Sequence, residues 1–265
     1  MAMPNLQEHY SQDGLIARIL DQLTSAGIDV EALSSADLSG VDEFHLGGAR
    51  ATAALLNDLQ LADDARVIDV GCGIGGAARQ LAAGSQRHVT GIDLTPDFIE
   101  LATELGARTR ANTTFEVGNA TELGFDDDHF DAATMFHVGM NIEDKPALFA
   151  ELARVVRPGG VVAVYDIMRI GDGDVTFPVP WSSAPATSHV ATPEDYLAAL
   201  TAAGLHPSDP VDRRPLVREA LAAAAADPPP VNLSHLMGPE WPAMFSNLRA
   251  ALGAGVVAPM QIVAR

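Results

Sequence analysis

Apolar and polar positions along the chain follow two periods, and the switch between them predicts most of the elements. From Tyr10 to Ala26, Leu15, Ile16, Ile19, Leu20 and Leu23 recur at three- and four-residue steps, which describes a helix with one buried face. A second helix is predicted over 48–61. The short apolar run ARVIDV, 65–70, reads as a strand that ends in the turn GCGIGG. Short apolar runs and longer amphipathic stretches then alternate: a helix near 75–83, a strand at 88–92, a helix at 96–105 and a strand at 114–117. They continue with a strand at 130–136, a helix at 145–156 and a strand at 160–167 opened by RPGG. Such alternation predicts a mostly parallel sheet with helices on both faces.

The rhythm breaks between 171 and 190, where FPVPWSSAP sets Phe177 and Trp181 among prolines and reads as a loop over a site. Helices are predicted again at 193–203, 214–226 and 242–252, the second followed by PPP at 228–230. A strand at 256–263 closes the sheet. There are no internal repeats. At 265 residues the chain suits one large α/β core with an appended cap. The expected division is an N-terminal helical lid over 1–62, a core over 63–170, and over 171–265 a cap with the closing strands of the same domain.

Composition narrows the function. Apolar residues make up 48% and charged residues 19%, as in ordinary globular chains. The net charge of −19 opposes binding to a polyanion, so nucleic acid is not an expected partner. No apolar run reaches the ~20 residues a membrane span needs, and MAMPNLQEHY lacks a secretory pattern; the expectation is a cytoplasmic protein with no membrane partner. The lone Cys72 and eight scattered histidines predict no disulfide framework and no metal site.

The chemistry centres on VIDVGCGIGG. Gly71, Gly73 and Gly75 allow a sharp turn and a close backbone approach to a nucleotide-like ligand, although GxGxxG occurs in dinucleotide-binding dehydrogenases for the same reason. About twenty residues on, Asp93 ends the next strand, where its carboxylate can accept from both hydroxyls of a ribose or cap the following helix.

Asp69, two residues before the first glycine, makes the loop similar to the first motif of class I methyltransferases that use S-adenosylmethionine (SAM). GIDLTPDFIELA, VGNATELGF, HFDAATMFHVGMNI and RPGGVVAVYD follow in the order that family shows. The pattern also resembles bacterial sarcosine and dimethylglycine N-methyltransferases and related type 11 methyltransferases. The resemblance implies a Rossmann-like, doubly wound, mostly parallel seven-stranded sheet with an antiparallel last strand. It further implies SAM as the cofactor, with S-adenosylhomocysteine (SAH) as its product.

Residue by residue, the resemblance implies that Asp69, Gly71 and Gly73 hold the methionine end. Asp93 would hold the ribose, Leu94 one adenine face, and Asn119 with Ala120 the adenine edge; Phe136 completes the cofactor set. Asn119 stands where the family often has aspartate, yet its amide can pair with an adenine edge. His137, directly after the fourth strand, is the first candidate for a catalytic group and His45 the second; a histidine at this rim either accepts a proton or shapes the pocket. Tyr10, Met140, Asn141, Asp166 and Trp181 are the candidate acceptor contacts. Phe44 either closes the pocket or belongs to the core, and Trp181 with Phe177 either stacks on an acceptor or packs under the cap. The expected activity is methyl transfer to a small molecule, first an amine nitrogen, with an oxygen or carbon of a secondary metabolite as alternative. An NAD-dependent oxidoreductase and a SAM-binding protein without turnover are the readings from other classes. The acceptor is the expected partner, with a homodimer left open.

Overall fold

A computed structural model describes residues 14–229, 231–232 and 238–265. Seven strands form one sheet in the order β3-β2-β1-β4-β5-β7-β6. They are β1 (Arg66–Val70), β2 (His88–Asp93), β3 (Thr113–Val117), β4 (Phe130–Phe136), β5 (Val156–Arg169), β6 (Val211–Asp212) and β7 (Val257–Ala264). The pairs β1–β2, β2–β3, β1–β4 and β4–β5 are parallel, while β7 runs antiparallel to both β5 and β6. This is the sheet the resemblance implied.

The helices are α1 (Leu15–Ser25), α2 (Ser35–Leu38), α3 (Gly48–Leu59), α4 (Gly76–Ala82), α5 (Pro96–Thr109), α6 (Lys145–Val155), α7 (Pro193–Ala202), α8 (Arg214–Ala226) and α9 (Trp241–Gly253). Their starts reflect local chemistry. Asp144 accepts from Ala147 N at 2.9 Å to cap α6, and Thr192 and Asp195 form a capping box at α7; a proline that needs no donor sits in the first turn of each.

Alternation along the strands divides the core. Val67 on β1, Ala132 and Phe136 on β4 and Tyr165 on β5 pack against α3 and α4. Ile68, Val70, Ala133, Met135 and Val164 face the other way, toward α6 and α7. A third cluster joins Ile19, Leu23 and Leu38 of the N-terminal segment to Phe98, Leu101 and Leu105 of α5. A fourth packs Met140, Trp181, Val217 and Leu248 beneath the cap. Because β6 and β7 belong to the same sheet as β1–β5, the C-terminal segment completes the core as well as covering it.

β5 and β6 depart from the sequence pattern for physical reasons. β5 starts at Val156 because that residue still pairs with Phe130; Arg157–Gly160 then bulge out before Val161 pairs with Ala132. β6 has only two residues, both exposed, and so leaves no alternation to read. No helix among the described residues is long and apolar enough to cross a membrane.

Candidate active site

The site begins where β1 turns into α4. Gly71 N and Cys72 N both donate to Ile92 O at 2.8 and 2.9 Å, clamping the loop to the end of β2. Gly71 has φ +71°, and a Cβ there would come within 2.2 Å of Val138 Cγ2, so only glycine fits. Asp93 closes the other side: its Oδ2 accepts from Gly73 N at 3.0 Å and its Oδ1 from Thr95 N at 2.9 Å. It is not the helix cap, since Thr95 occupies that position of α5. Burial raises its pKa against these backbone donors. The Thr95 side chain and the Leu94 backbone also act on this carboxylate, which stands in the cavity wall.

Residues 39–50 lie over this loop. Arg79 of α4, fully buried, donates Nη1 to Ile74 O at 2.8 Å and Nη2 to Asp42 Oδ2 at 3.0 Å. Burial raises the Asp42 carboxyl, and the Arg79 guanidinium opposes that rise. A Cβ at Gly76 would stand 2.0 Å from Asp42 O, so the two backbones touch. Phe44 comes next, its ring tilted against that of Phe98 at 5.3 Å and within reach of a Cβ at Gly73. It therefore closes the site and joins the core at once.

Behind Phe44 lies a buried polar group. His45 Nε2 is 2.7 Å from Glu43 Oε2 and 3.0 Å from Thr52 Oγ1, and the Thr52 hydroxyl donates to Glu43 Oε2 at 2.5 Å. His45 Nδ1 is buried and has no hydrogen-bonding partner. The ring stacks on Phe136 at 4.9 Å and meets His137 edge-on at 5.9 Å and Tyr165 at 5.7 Å. Burial draws His45 down to about 3, and burial with the charges of Asp42 and Asp69 pushes Glu43 up to about 8. Both shifts favour neutral partners, and they concern one shared proton: acid beside imidazole and carboxylate beside imidazolium have the same proton count. Away from solvent, the neutral arrangement is favoured.

His137 lies just after β4 in a left-handed conformation, φ 54°, its N–H donating to Tyr165 O at 2.8 Å. Its ring stacks on Tyr165 at 5.2 Å and leaves Nε2 buried without a partner. Burial, and then the nearby His45, hold its pKa well below the ordinary histidine value.

These elements surround a cavity of about 950 Å³. One part of its wall gathers Gly71, Gly73, Asp93, Leu94, Asn119 and Ala120. Phe136, His137, His45, Met140, Asn141 and Trp181 lie in the same wall. Asn119 Oδ1 accepts from Thr121 N and Oγ1 at 3.1 and 3.0 Å. Trp181 is fully buried, its Nε1 donating to Ser188 Oγ at 2.9 Å.

Three expected residues stand elsewhere. Asp69 is buried outside the wall; its Oδ1 accepts from Thr134 Oγ1 at 2.7 Å, its Oδ2 has no partner, and burial raises its pKa to about 7. Asp166, expected at the acceptor, is not a wall residue, because it lies on the β5 face opposite Tyr165. There it accepts from Tyr196 Oη at 2.7 Å, Met140 N at 3.1 Å and Ile167 N at 2.9 Å, and so fixes the turn after His137. Phe177 packs in the cap cluster, away from the wall. Tyr10 lies outside the described residues.

Sequence reasoning missed Glu43, although DEFH sets it two residues from His45. It also missed Leu221 of α8 and the pair Trp241 and Phe245 of α9, stacked at 5.4 Å in the wall. Their i, i+4 spacing was the available signal.

Comparison with known proteins agrees with this geometry: residues 67–160 match a family model described as a methyltransferase domain. That stretch, 67–160, is similar to a methyltransferase domain. Phosphoethanolamine N-methyltransferase 1 of Arabidopsis thaliana is 35% identical over 123 residues, 46% of this chain and 25% of that protein. The 2-methyl-6-phytyl-1,4-hydroquinone methyltransferase of a Synechocystis strain is 40% identical over 109 residues, 41% of this chain and 34% of that protein. The matched stretch thus spans about a quarter to a third of these relatives. Among solved structures, the 4+2 cyclase SpnF aligns with TM-score 0.66 and 21% identity over 100% of this chain and 97% of its own. A structure from Galdieria sulphuraria named for a sarcosine dimethylglycine methyltransferase aligns with TM-score 0.66 and 19% identity over 96% and 98%. Phosphoethanolamine N-methyltransferase 2 of Haemonchus contortus, solved with SAM, gives 0.65 and 21% over 84% and 53%. The domain has the class I methyltransferase fold.

Proposed function

We propose that this protein transfers a methyl group from SAM to a bulky, largely apolar small molecule. The observation that carries the acceptor half is the cavity wall. Trp181, Leu221, Trp241, Phe245 and Leu248 line it, and Arg50 is its one cationic residue among those described. A carboxylate-bearing amine such as sarcosine or dimethylglycine, the first expectation from resemblance, would find one exposed cation and leave the aromatic wall without a partner. An acceptor with an extended apolar body matches the wall by burial of apolar surface.

The fit of SAM rests on the loop. Gly71 and Gly73, which bring backbone rather than side chain to the wall, and the Asp93 carboxylate beside them suit the close approach and the ribose hydroxyls of a nucleoside. SAM supplies an electrophilic methyl on a sulfonium. The chain's own part is to hold the acceptor atom in line, and Phe44, Phe136 and Trp181 exclude water around it. His45 and His137, both held neutral by burial, are the groups able to accept a hydrogen bond or a proton from the acceptor.

A second reading is that the domain binds SAM without methyl transfer, favoured by the whole-chain similarity to a structure named for a cyclase. Calorimetric titration with SAM and with NAD, followed by SAH release across hydroxyl, amine and carbon acceptors with naphthalene-sized bodies, separates these. SAM binding with SAH release supports the proposal. SAM binding with no release across the panel favours the second reading, and binding of NAD alone overturns both.

A further inference from the structure

We propose that Glu43, held by Thr52, is a positioning residue that turns His45 into a general base whose Nδ1 takes the proton of a hydroxyl acceptor. The inference rests on the SAM-dependent reading above and adds the acceptor's reacting group.

The geometry leaves His45 two arrangements. With a carboxylate at Glu43, the Nε2–H donates across 2.7 Å to Oε2, and Nδ1 is left as a lone pair. With a protonated Glu43, the acid donates to Nε2 and Nδ1 carries the hydrogen. His45 lies in the cavity wall, and Nδ1 is the ring nitrogen that finds no partner within the protein. An imidazole oriented by a carboxylate on one nitrogen, with the other left without a protein partner in a residue that lines the cavity, has the arrangement that general-base catalysis uses. Thr52, pointing its hydroxyl hydrogen at the same Oε2, favours the carboxylate.

The step balances simply. As the acceptor's O–CH3 bond forms and the S–CH3 bond of SAM breaks, the acceptor O–H bond also breaks. The sulfonium becomes the neutral sulfur of SAH, and the proton passes to His45 Nδ1. The Nε2 hydrogen passes to Glu43 Oε2 in turn, giving the neutral acid beside imidazole that burial favours, and the pair returns its proton to water when the products leave.

Several charges act on this pair. Asp42 on its own segment and Asp69 on β1 disfavour the Glu43 carboxylate, whereas Arg79 on α4 favours it; His137 and Tyr165 meet the His45 ring from β4 and β5. Burial places the balance above neutrality, so the base-competent form gains as pH rises through about 8.

The test is nitrogen-15 NMR of histidine-labelled full-length protein saturated with SAH, titrated from about pH 6 to about 9.5. In the wild type, His45 is expected to pass from Nδ1–H to Nε2–H with a midpoint near about 8. In Glu43→Gln the midpoint disappears, since an amide does not titrate there. In Thr52→Ala it moves upward, because the carboxylate loses a donor. Above the midpoint, 2-naphthol is expected to shift the Nδ1 resonance as a hydrogen-bond acceptor, and 2-methoxynaphthalene is not.

A His45 protonated on Nδ1 at every pH, or a midpoint that survives Glu43→Gln, overturns the pairing. A correct tautomer that ignores 2-naphthol overturns the hydroxyl assignment. Failure of the protein to bind SAM in calorimetry sinks the function above it instead, so the two failures are distinguishable.

Discussion

Asp93 and His137 differ in what their surroundings allow them to do. The Asp93 carboxylate ties the glycine loop to the start of α5 and lines the cavity. Replacing it with alanine is expected to weaken SAM binding by ~1–3 kcal/mol, the loss of a buried acceptor, read by calorimetry. Unchanged affinity would sink the ribose assignment. His137 needs a different substitution: at φ 54° alanine is strained, whereas asparagine tolerates the left-handed region. His137→Asn is expected to lower kcat more than it weakens SAM binding, and a loss of affinity alone would move His137 to the cofactor side. Both residues were legible because, in a strand-turn-helix pattern, the position at a strand's carboxyl end is set by the strand itself. Glu43 was not: its meaning depends on Thr52 nine residues later and on the fold of 39–50 over the loop, which no period in the sequence encodes.

At the scale of elements, the segment 39–50 and helix α4 meet through a backbone contact and a buried ion pair. Glycine within a helix is ordinarily improved by alanine, by ~0.5–1 kcal/mol. Gly76 is expected to reverse that sign, because the added Cβ would meet Asp42 O at 2.0 Å, and such overpacking costs ~1–3 kcal/mol. Differential scanning calorimetry of Gly76→Ala should therefore show a lower Tm, and a raised Tm would mean that the segment yields freely. Strands β1, β2, β4 and β7 were readable because each is buried along nearly its whole length in a run of apolar residues. β6 was not, for two exposed residues joined to an edge carry no pattern. The wall formed by α8 and α9 shows the same limit: both helices were predicted, but their spacing alone does not say which face meets a cavity.

Across the whole molecule, the acids buried among the described residues, Asp42, Glu43, Asp69 and Asp166, sit in a strongly acidic chain of net charge −19. Burial raises Asp166 to about 6, Asp69 to about 7 and Glu43 to about 8. A group that binds its proton more tightly folded than unfolded contributes stability that is fully present below its unfolded pKa and is lost as pH rises through its folded one. For these acids the loss therefore runs from about pH 4 to about 8. The ion pairs of Asp131 with Arg157, Glu151 with Arg154 and Asp212 with Arg214 work in the opposite sense: their lowered carboxyl pKa values remove stability only as pH falls below about 4. Being partly exposed, they contribute less. His45 and His137, whose pKa values burial lowers, oppose this loss up to about pH 6.5, so the ligand-free protein is expected to lose stability between about pH 5 and about pH 8 most steeply above about pH 6.5, measured by thermal denaturation at matched ionic strength. Self-repulsion of the acidic surface would tilt the curve the same way, but salt separates the causes. At about 1 M the Debye length shrinks to roughly 3 Å and surface repulsion is screened, while buried carboxyls are screened much less. The slope between about pH 5 and about pH 8 should persist in high salt and flatten in Asp69→Asn. A slope that vanishes with salt alone would assign it to the surface and leave the buried acids without the role given them.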